Sequence, residues 1–175
     1  MIKRQKGFSL IELLIVVAII LIIAAIAIPN LLRSRMAANE ASAVGSVRTM
    51  NTAAITFSST YGDGFPPNIT SIGTTGTVVS CQNAELLDSV LTTGQKSGYN
   101  FALVAGTVVV VAANVPAGCT AGYTDGYVVT ATPVNVGTTG QRAFCSDATG
   151  VIRFSPTGAA TTASPLCAAA MTPLQ

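Results

Sequence analysis

The chain has 175 residues, of which 9% are charged, against roughly 25% in ordinary soluble domains. It contains no histidine, which excludes Ser-His-Asp triads, Cys-His pairs and histidine-ligated metals. No other catalytic constellation stands out, so we expect no enzymatic activity, no cofactor and no metal. Three of the nine Lys and Arg residues precede Phe8, and the other six face seven Asp and Glu residues. With Arg33 and Arg35 as the only further basic cluster, we expect no direct binding of nucleic acid.

Residues 8–28 form an almost unbroken apolar run in which Glu12 is the only charged side chain. As a helix this run is about 31 Å long, which matches the hydrocarbon core of a bilayer. The basic residues before it predict that the N-terminus stays in the cytoplasm. The alternative is a secretory signal with Ala25-Ile26-Ala27 as its cleavage site. A disposable signal, however, has no reason to contain a carboxylate, which costs up to about 2.5–3.5 kcal/mol near the centre of a bilayer and less near its edge.

The helical pattern continues past Pro29 into a second, amphipathic half. An apolar stripe at spacings of 3, 4, 3 and 4 predicts one buried helix face; its members are Val47, Met50, Ala54, Phe57 and Tyr61. Gly62-Asp63-Gly64 and the following Pro66-Pro67 end the helix. The predicted element, residues 8–61, is about 80 Å long. Because Pro29 lacks an N–H and clashes with the preceding turn, we expect a kink or local unwinding there.

The heptapeptide Lys6-Gly7-Phe8-Ser9-Leu10-Ile11-Glu12, with its basic leader and the apolar helix after it, closely resembles the type III signal of type IV pilins and the related pseudopilins. Every position of the motif is occupied, and Pro29 lies where a proline is common in that family. The resemblance is strong over the leader and the predicted helix and weaker beyond them. It implies that a prepilin peptidase removes residues 1–7 by cleaving after Gly7 and then methylates the new amine of Phe8.

The resemblance also offers a partner for Glu12. Cleavage turns the amide nitrogen of Phe8 into an ammonium group about one helical turn before the Glu12 carboxylate. One interpretation is an intrachain pair between these groups that neutralises the end of the helix. The other is a pair between Glu12 of an entering subunit and the Phe8 amine of a neighbour, which rewards correct axial register because an unpaired carboxylate is costly in apolar surroundings. Resemblance to the family favours the intersubunit pair.

From residue 62 to residue 175 the chain changes to short β-branched and aromatic runs separated by Gly, Pro, Asn and Asp, which predicts a globular β-rich head. The expected fold is therefore α+β and pilin-like, with the long N-terminal helix packed on an antiparallel sheet. Asp147-Ala-Thr-Gly150 predicts a hairpin between the last two strands, and Glu85–Leu91 predicts a short helix. The predicted strands are Tyr99–Val104, Thr107–Ala112, Tyr127–Thr132, Gln141–Cys145 and Val151–Phe154.

The four cysteines are Cys81, Cys119, Cys145 and Cys167, and no two of them form a Cys-x-x-Cys motif. Their even number after a membrane-targeting segment predicts two disulfides and an oxidising compartment. The sequence allows three pairings. We favour Cys145–Cys167, which ties the tail after Pro156 to the last hairpin and contributes roughly 3 kcal/mol in the chain-entropy model. That choice leaves Cys81–Cys119.

Two further motifs carry little weight. Thr93-Gly-Gln-Lys-Ser97 lacks the spacing of a phosphate-binding loop, so we interpret it as an ordinary loop. Asp125 and Asp147 could help to bind Ca²⁺, but two separated carboxylates more often begin turns.

The sequence thus predicts a structural protein, the major subunit of a type IV pilus. The precursor lies in the bacterial inner membrane, and the mature chain polymerises through its N-terminal helix into an extracellular helical filament for adhesion, motility or DNA uptake. Its expected partners are other copies of itself, the prepilin peptidase and the pilus assembly machinery. The alternative is a major pseudopilin of a type II secretion system.

Overall fold

The computed structural model describes residues 8–61, 64–74, 78–109, 123–160, 162–163 and 166–174. Its first element is a helix of 52 residues, α1 (Leu10–Tyr61). The chain divides into two compact units, the first ending at Arg35 and the second beginning at Met36. Helix α1 therefore begins in the first unit and ends in the second, and the two halves of the helix meet different surroundings.

In the first unit the large apolar side chains of α1 are exposed from its start to Leu32. In the second unit the helix carries the predicted stripe. Val47, Met50, Ala54 and Phe57 are completely buried, and Tyr61 packs against the same core from a partly buried position. The stripe is confirmed, and α1 ends at the predicted boundary. The helical spacing of apolar residues was enough to predict this buried face, because the core covers one continuous face of the helix.

Two short helices follow, α2 (Ile69–Ile72) and α3 (Ser89–Thr92). The prediction of a helix over Glu85–Leu91 was therefore wrong in its placement. The Asp88 side chain accepts a hydrogen bond from the Leu91 backbone N–H at 2.9 Å, which caps a helix beginning after residue 88. Glu85 has a φ of 53°, a value that lies outside the α-helical region.

Ten strands complete the described structure. In chain order they are β1 (Gln95–Lys96), β2 (Tyr99–Ala105), β3 (Val108–Val109), β4 (Tyr123–Thr124), β5 (Tyr127–Pro133), β6 (Ala143–Asp147), β7 (Ile152–Ser155), β8 (Thr162–Ala163), β9 (Leu166–Cys167) and β10 (Thr172–Pro173). Six of them form one sheet in the order β1-β2-β5-β6-β7-β10, with every neighbouring pair antiparallel. A long helix with an antiparallel sheet confirms the α+β prediction.

Two tight turns fix the register of the sheet. Strands β1 and β2 are joined by Ser97 and Gly98, which both have positive φ, 50° and 73°, as in two-residue hairpins of type I′. Strands β6 and β7 are joined through Asp147–Gly150, where the Gly150 N–H donates to the Asp147 carbonyl at 2.8 Å and the φ of Gly150 is 74°. The predicted hairpin between the last two long strands is confirmed.

The other predicted strands need adjustment. Strands β2 and β5 each extend one residue beyond the prediction, and β7 lies one residue later than predicted. The prediction Gln141–Cys145 was wrong at both ends, because the strand is Ala143–Asp147 and the N–H groups of Gln141 and Arg142 donate to a helix side chain instead of the sheet. Of the predicted strand Thr107–Ala112, the structure describes Val108–Val109 as β3; residues 110–112 lie outside the described residues.

The sheet has two covered faces, and β6 shows how they differ. Phe144 belongs to the main core beside α1, and the Ser146 hydroxyl accepts a hydrogen bond from the Asn51 side-chain amide at 2.7 Å. Cys145, between them, points to the opposite face and joins a second cluster of Val128, Cys145, Cys167 and Met171. The C-terminal tail thus covers part of the face that α1 leaves open.

Candidate functional site

The first candidate site is the start of α1, where the structure places Phe8, Ser9 and Glu12 together. The Phe8 side chain is 73% exposed. The Ser9 backbone N–H donates a hydrogen bond to Oε2 of Glu12 at 3.1 Å, and the Leu13 N–H donates to the Ser9 carbonyl at 3.2 Å. Ser9 is therefore the residue before the first helical turn, and the Glu12 carboxylate satisfies one of the N–H groups that a helix start leaves without an intrahelical partner.

This arrangement is half of a capping box, in which a carboxylate three positions after the N-cap residue reaches back to the N-cap amide. Neither of the two interpretations of Glu12 considered above included it. The signal was present in the sequence as Ser9-x-x-Glu12 before an apolar run. In the uncleaved chain, then, Glu12 has a partner within its own helix turn that does not depend on a free amine.

Beyond this start, α1 offers a long apolar surface. It is the one helix in the described part of the chain that is long and apolar enough to cross a membrane, and its most apolar stretch has no buried residue. A signal sequence meets the same criterion. Glu12 is the only charged group on this segment from Phe8 to Leu32, so an apolar medium, either lipid or protein, is the surrounding that the surface fits.

The other N-terminal predictions fall at the edges of what the structure describes. Gly7, the residue before the predicted cleavage point, lies outside the described residues. Pro29 lies inside α1, whose helical conformation continues on both sides of it. The kink at Pro29 stays a prediction.

The second candidate site joins α1 to the head, and sequence reasoning missed it. Glu40 is 8% exposed and acts as an acceptor for four donors. Its Oε1 accepts the backbone N–H groups of Gln141 at 2.9 Å and Arg142 at 3.1 Å, and its Oε2 accepts Nε of Arg142 at 2.7 Å. The second guanidinium nitrogen lies 2.7 Å from the same oxygen, which gives a forked ion pair across 102 residues of sequence.

The electrostatics of this junction favour the charged state of Glu40. Burial disfavours its carboxylate, but the N–H donors of Gln141 and Arg142 and the adjacent guanidinium outweigh burial and hold the pKa of Glu40 below its usual range. Arg142 also lies over two aromatic rings, with Cζ 5.6 Å from the centroid of Phe144 and 5.5 Å from that of Phe154. Such contacts stabilise a cation over a ring face. The Arg142 guanidinium is therefore held both by the Glu40 carboxylate and by two aromatic rings.

A disulfide ties the tail to the sheet. Cys145 and Cys167 are bonded, with their Cα atoms 5.9 Å apart, which confirms the favoured pairing. Cys81 is also disulfide-bonded; Cys119 lies outside the described residues, so Cys81–Cys119 stays a prediction. Asp147 reinforces the tie because its Oδ2 accepts the Cys167 backbone N–H at 3.2 Å.

The two aspartates considered for Ca²⁺ have structural partners instead. Oδ1 of Asp125 accepts the Thr107 N–H at 2.8 Å, and Oδ1 of Asp147 accepts the Thr149 N–H at 3.0 Å. Among the described residues no group of three His, Cys, Asp or Glu side chains could hold a metal ion. Both aspartates order loops.

A long helix with an apolar, exposed first half and an antiparallel head on its second half defines an α+β architecture consistent with that of type IV pilins. Comparison with known proteins leads to the same class. Residues 2–28 match the family described as "Prokaryotic N-terminal methylation motif".

Two curated proteins each resemble part of the chain. The "Type IV wide pilus major component PilA4" of Thermus thermophilus is 63% identical over 38 residues, which cover 22% of this chain and 29% of that protein. The "Type IV major pilin protein PilA" of Myxococcus xanthus is 46% identical over 54 residues, which cover 31% of this chain and 24% of that protein. The chain spans less than a third of the length of either relative.

The methylation motif and the two relatives together support membership of the type IV pilin family. No solved structure matches the chain. The family match at residues 2–28 includes Phe8 and Glu12.

Proposed function

We propose that this chain is the major structural subunit of a type IV pilus, a protein without enzymatic activity. The observation that carries the proposal is the first half of α1, which follows the Gly7-Phe8 motif and whose large apolar side chains are exposed from Leu10 to Leu32. An isolated chain cannot keep such a surface in water, because burying each large apolar side chain is worth about 1.5–3 kcal/mol. The surface therefore lies in the inner membrane before assembly and among the helices of other copies afterwards.

The partners follow from these two locations. The prepilin peptidase cleaves between Gly7 and Phe8 on the cytoplasmic side and methylates Phe8, and the assembly machinery then draws the helix out of the membrane. In the filament, Glu12 of each entering subunit pairs with the Phe8 amine of a neighbour. Support comes from the exposure of Phe8 and from Glu12, whose carboxylate accepts one hydrogen bond from the described residues, because a carboxylate accepts several donors at once.

The head and its tail form the outer surface of the filament, where adhesion, motility or DNA uptake takes place. An extracellular location for the head is supported by the Cys145–Cys167 bond, because disulfides persist in oxidising compartments. The curated relatives are both named as major pilins, which favours a pilus over the pseudopilus of a secretion system.

The proposal is tested by isolating surface fibres and determining the mass of their main protein. We expect a chain that begins at Phe8 with a methylated amine, in fibres that electron microscopy shows on the cell surface. A mature N-terminus at Met1 or at Ile28 would contradict the proposed processing. Absence of fibres, together with loss of secreted enzymes when the gene is deleted, would favour the pseudopilin.

A further inference from the structure

Glu85 adopts a backbone conformation that its residue type disfavours. Its φ is 53°, in the left-handed region that Gly and Asn occupy far more readily than Glu. The conformation is imposed by its neighbours. The N–H groups of Ala84, Glu85 and Leu86 donate in succession to the carbonyl groups of Ser71, Gly73 and Ile72 at 2.9, 3.2 and 2.9 Å.

The packing around this segment leaves the Glu85 side chain outside. Ala84 and Leu87 are buried, and Leu86 packs against the main core. Glu85, between them, is exposed. A glycine or an asparagine would serve the same backbone with less strain, so the carboxylate at this position has a use that the fold of the isolated chain does not reveal.

The charges of the head point to that use. Among the described residues of the second unit, the other charged side chains all have partners within the chain. Lys96 pairs with Asp88 at 3.4 Å, and Arg142 pairs with Glu40 at 2.7 Å. Arg153 donates to the Met171 carbonyl at 3.4 Å beside Asp147, and Asp125 accepts the Thr107 N–H at 2.8 Å.

Two charged groups in this described part of the head then have no ion-pair or hydrogen-bond partner for their side chains: the Glu85 carboxylate and the Arg48 guanidinium. Both are exposed, and they lie on different elements, Arg48 on α1 and Glu85 on the segment between α2 and α3. One group is negative and the other is positive. A head-to-tail contact that propagates along a polymer needs two different, complementary surfaces on each copy, and these groups supply one charge for each.

We propose that Glu85 of one copy pairs with Arg48 of a neighbouring copy of this chain in the filament. The inference rests on the proposed function, since it requires that copies polymerise. Because the pair is exposed, each contact contributes a modest free energy. Because it is repeated at every subunit, it acts on the register of neighbouring subunits along the whole fibre. The strained backbone at Glu85 holds the carboxylate outward for this contact.

Charge reversal tests the pair in cells that express the full chain, with the amount of fibre sheared from the surface as the readout. We expect Glu85→Gln and Arg48→Gln each to lower the fibre yield about two- to fivefold, the equivalent of losing one exposed ion pair per contact. Glu85→Arg and Arg48→Glu, each alone, should lower the yield further because like charges then meet. The double variant Glu85→Arg with Arg48→Glu should return the yield to near the unmodified level.

The matched control combines Glu85→Arg with Arg33→Glu, which has the same net charge but the wrong position; its yield should stay low. Equal recovery by this control, or no recovery by the Arg48 double variant, would overturn the assignment. If the unmodified chain is absent from surface fibres, the proposed function fails as well. If the unmodified fibres form and the double variant does not recover, only the Glu85–Arg48 pair fails.

A second measurement separates the contact from the strain. Asparagine tolerates positive φ and glutamine does not, so Glu85→Asn should raise the melting temperature of the full chain in detergent by about 2–4 °C over Glu85→Gln. Both variants should lower the fibre yield to the same extent. A Glu85→Asn variant that is more stable and also assembles normally would mean that Glu85 has no role between subunits.

Discussion

Glu40, on α1, fixes the segment that leads into β6, because its carboxylate accepts the backbone N–H groups of Gln141 and Arg142 and pairs with the Arg142 guanidinium. We expect Glu40→Gln to lower the free energy of unfolding of the full chain by about 1.5–3 kcal/mol, the usual contribution of hydrogen bonds to a charged group. Thermal or urea unfolding in detergent measures this. Glu85→Gln, which removes an exposed carboxylate without a partner in the described chain, is the control and should change stability little.

The same carboxylate makes the stability of the head depend on pH. The pKa values of Glu40 and Asp147 are both held below the usual carboxyl range, because hydrogen bonds and nearby arginines outweigh burial. A depressed pKa contributes stability that is complete above the pKa of the unfolded chain and is lost as the pH falls through the lower folded value. We therefore expect the melting temperature to be flat from pH 7 to about 5 and to fall progressively below about pH 4.

Glu40→Gln should show a smaller fall over the acid range, because one of the responsible carboxylates is gone. Melting curves of both chains at matched ionic strength measure the difference. Identical acid profiles for the unmodified and substituted chains would show that Glu40 titrates alike in the folded and unfolded states.

At Glu12, two roles can be separated by two substitutions. Glu12→Ala removes both the acceptor for the Ser9 N–H and the charge, whereas Glu12→Gln keeps an acceptor oxygen and removes only the charge. We expect membrane insertion of both variants to be intact or improved, because a charge leaves the bilayer, while fibre yield falls sharply in both. Sheared-fibre yield and membrane fractionation measure the two effects. Normal fibres from Glu12→Gln would mean that Glu12 acts only as a cap of its own helix.

At the scale of elements, the tail depends on its attachment to β6. Its strands β8, β9 and β10 have two residues each, too few to hold their position alone. Cys145→Ser should leave Cys167 as a free thiol and lower the free energy of unfolding by about 2–5 kcal/mol. Thiol titration of the native chain, with the unmodified chain as the control, should detect one new thiol. A thiol found at Cys81 instead would indicate exchanged pairing in the variant.

The elements that the sequence predicted well are those whose signal is local. The stripe on α1 and the strands β2 and β5 follow from periodicity over a few neighbouring residues, and the β6–β7 turn follows from four consecutive residues. The start of β6 could not be predicted in this way. It is set by Glu40, about a hundred positions earlier in the chain. The residues around Gln141 contain no pattern that indicates this partner.

The misplaced helix at Glu85–Leu91 and the cap formed by Glu12, which neither interpretation of Glu12 included, have a different origin, because their signals were local. Asp88 is a strong N-cap residue, and Ser9-x-x-Glu12 is a capping-box pattern. In both cases the polar side chain near the helix start was not interpreted as a cap. The Glu85 conformation, by contrast, follows from backbone contacts with residues 71–73 and leaves no trace in the local pattern.

For the whole molecule, we predict a filament that does not conduct electrons along its own side chains. After Phe8 no aromatic residue follows until Phe57, and Phe57 is buried in the head. The ring pairs within the head, such as Phe57–Tyr61 at 4.8 Å and Tyr99–Phe144 at 6.0 Å, are accounted for by core packing. Conductance of purified fibres free of cytochromes, compared with that of an ordinary protein, measures this; a value well above that of the control would contradict it.

The edges of the main sheet bear on how fibres behave beside one another. The outermost strands, β1 and β10, have two residues each, one with Lys96 and the other with Pro173. Short edges, an edge lysine and a proline without an N–H all prevent a sheet from adding strands from another molecule. In the proposed filament, where copies meet at very high local density through their helices, these edges disfavour amyloid-like association through the heads. We therefore expect proposed fibres that lie side by side to separate again instead of fusing through their sheets.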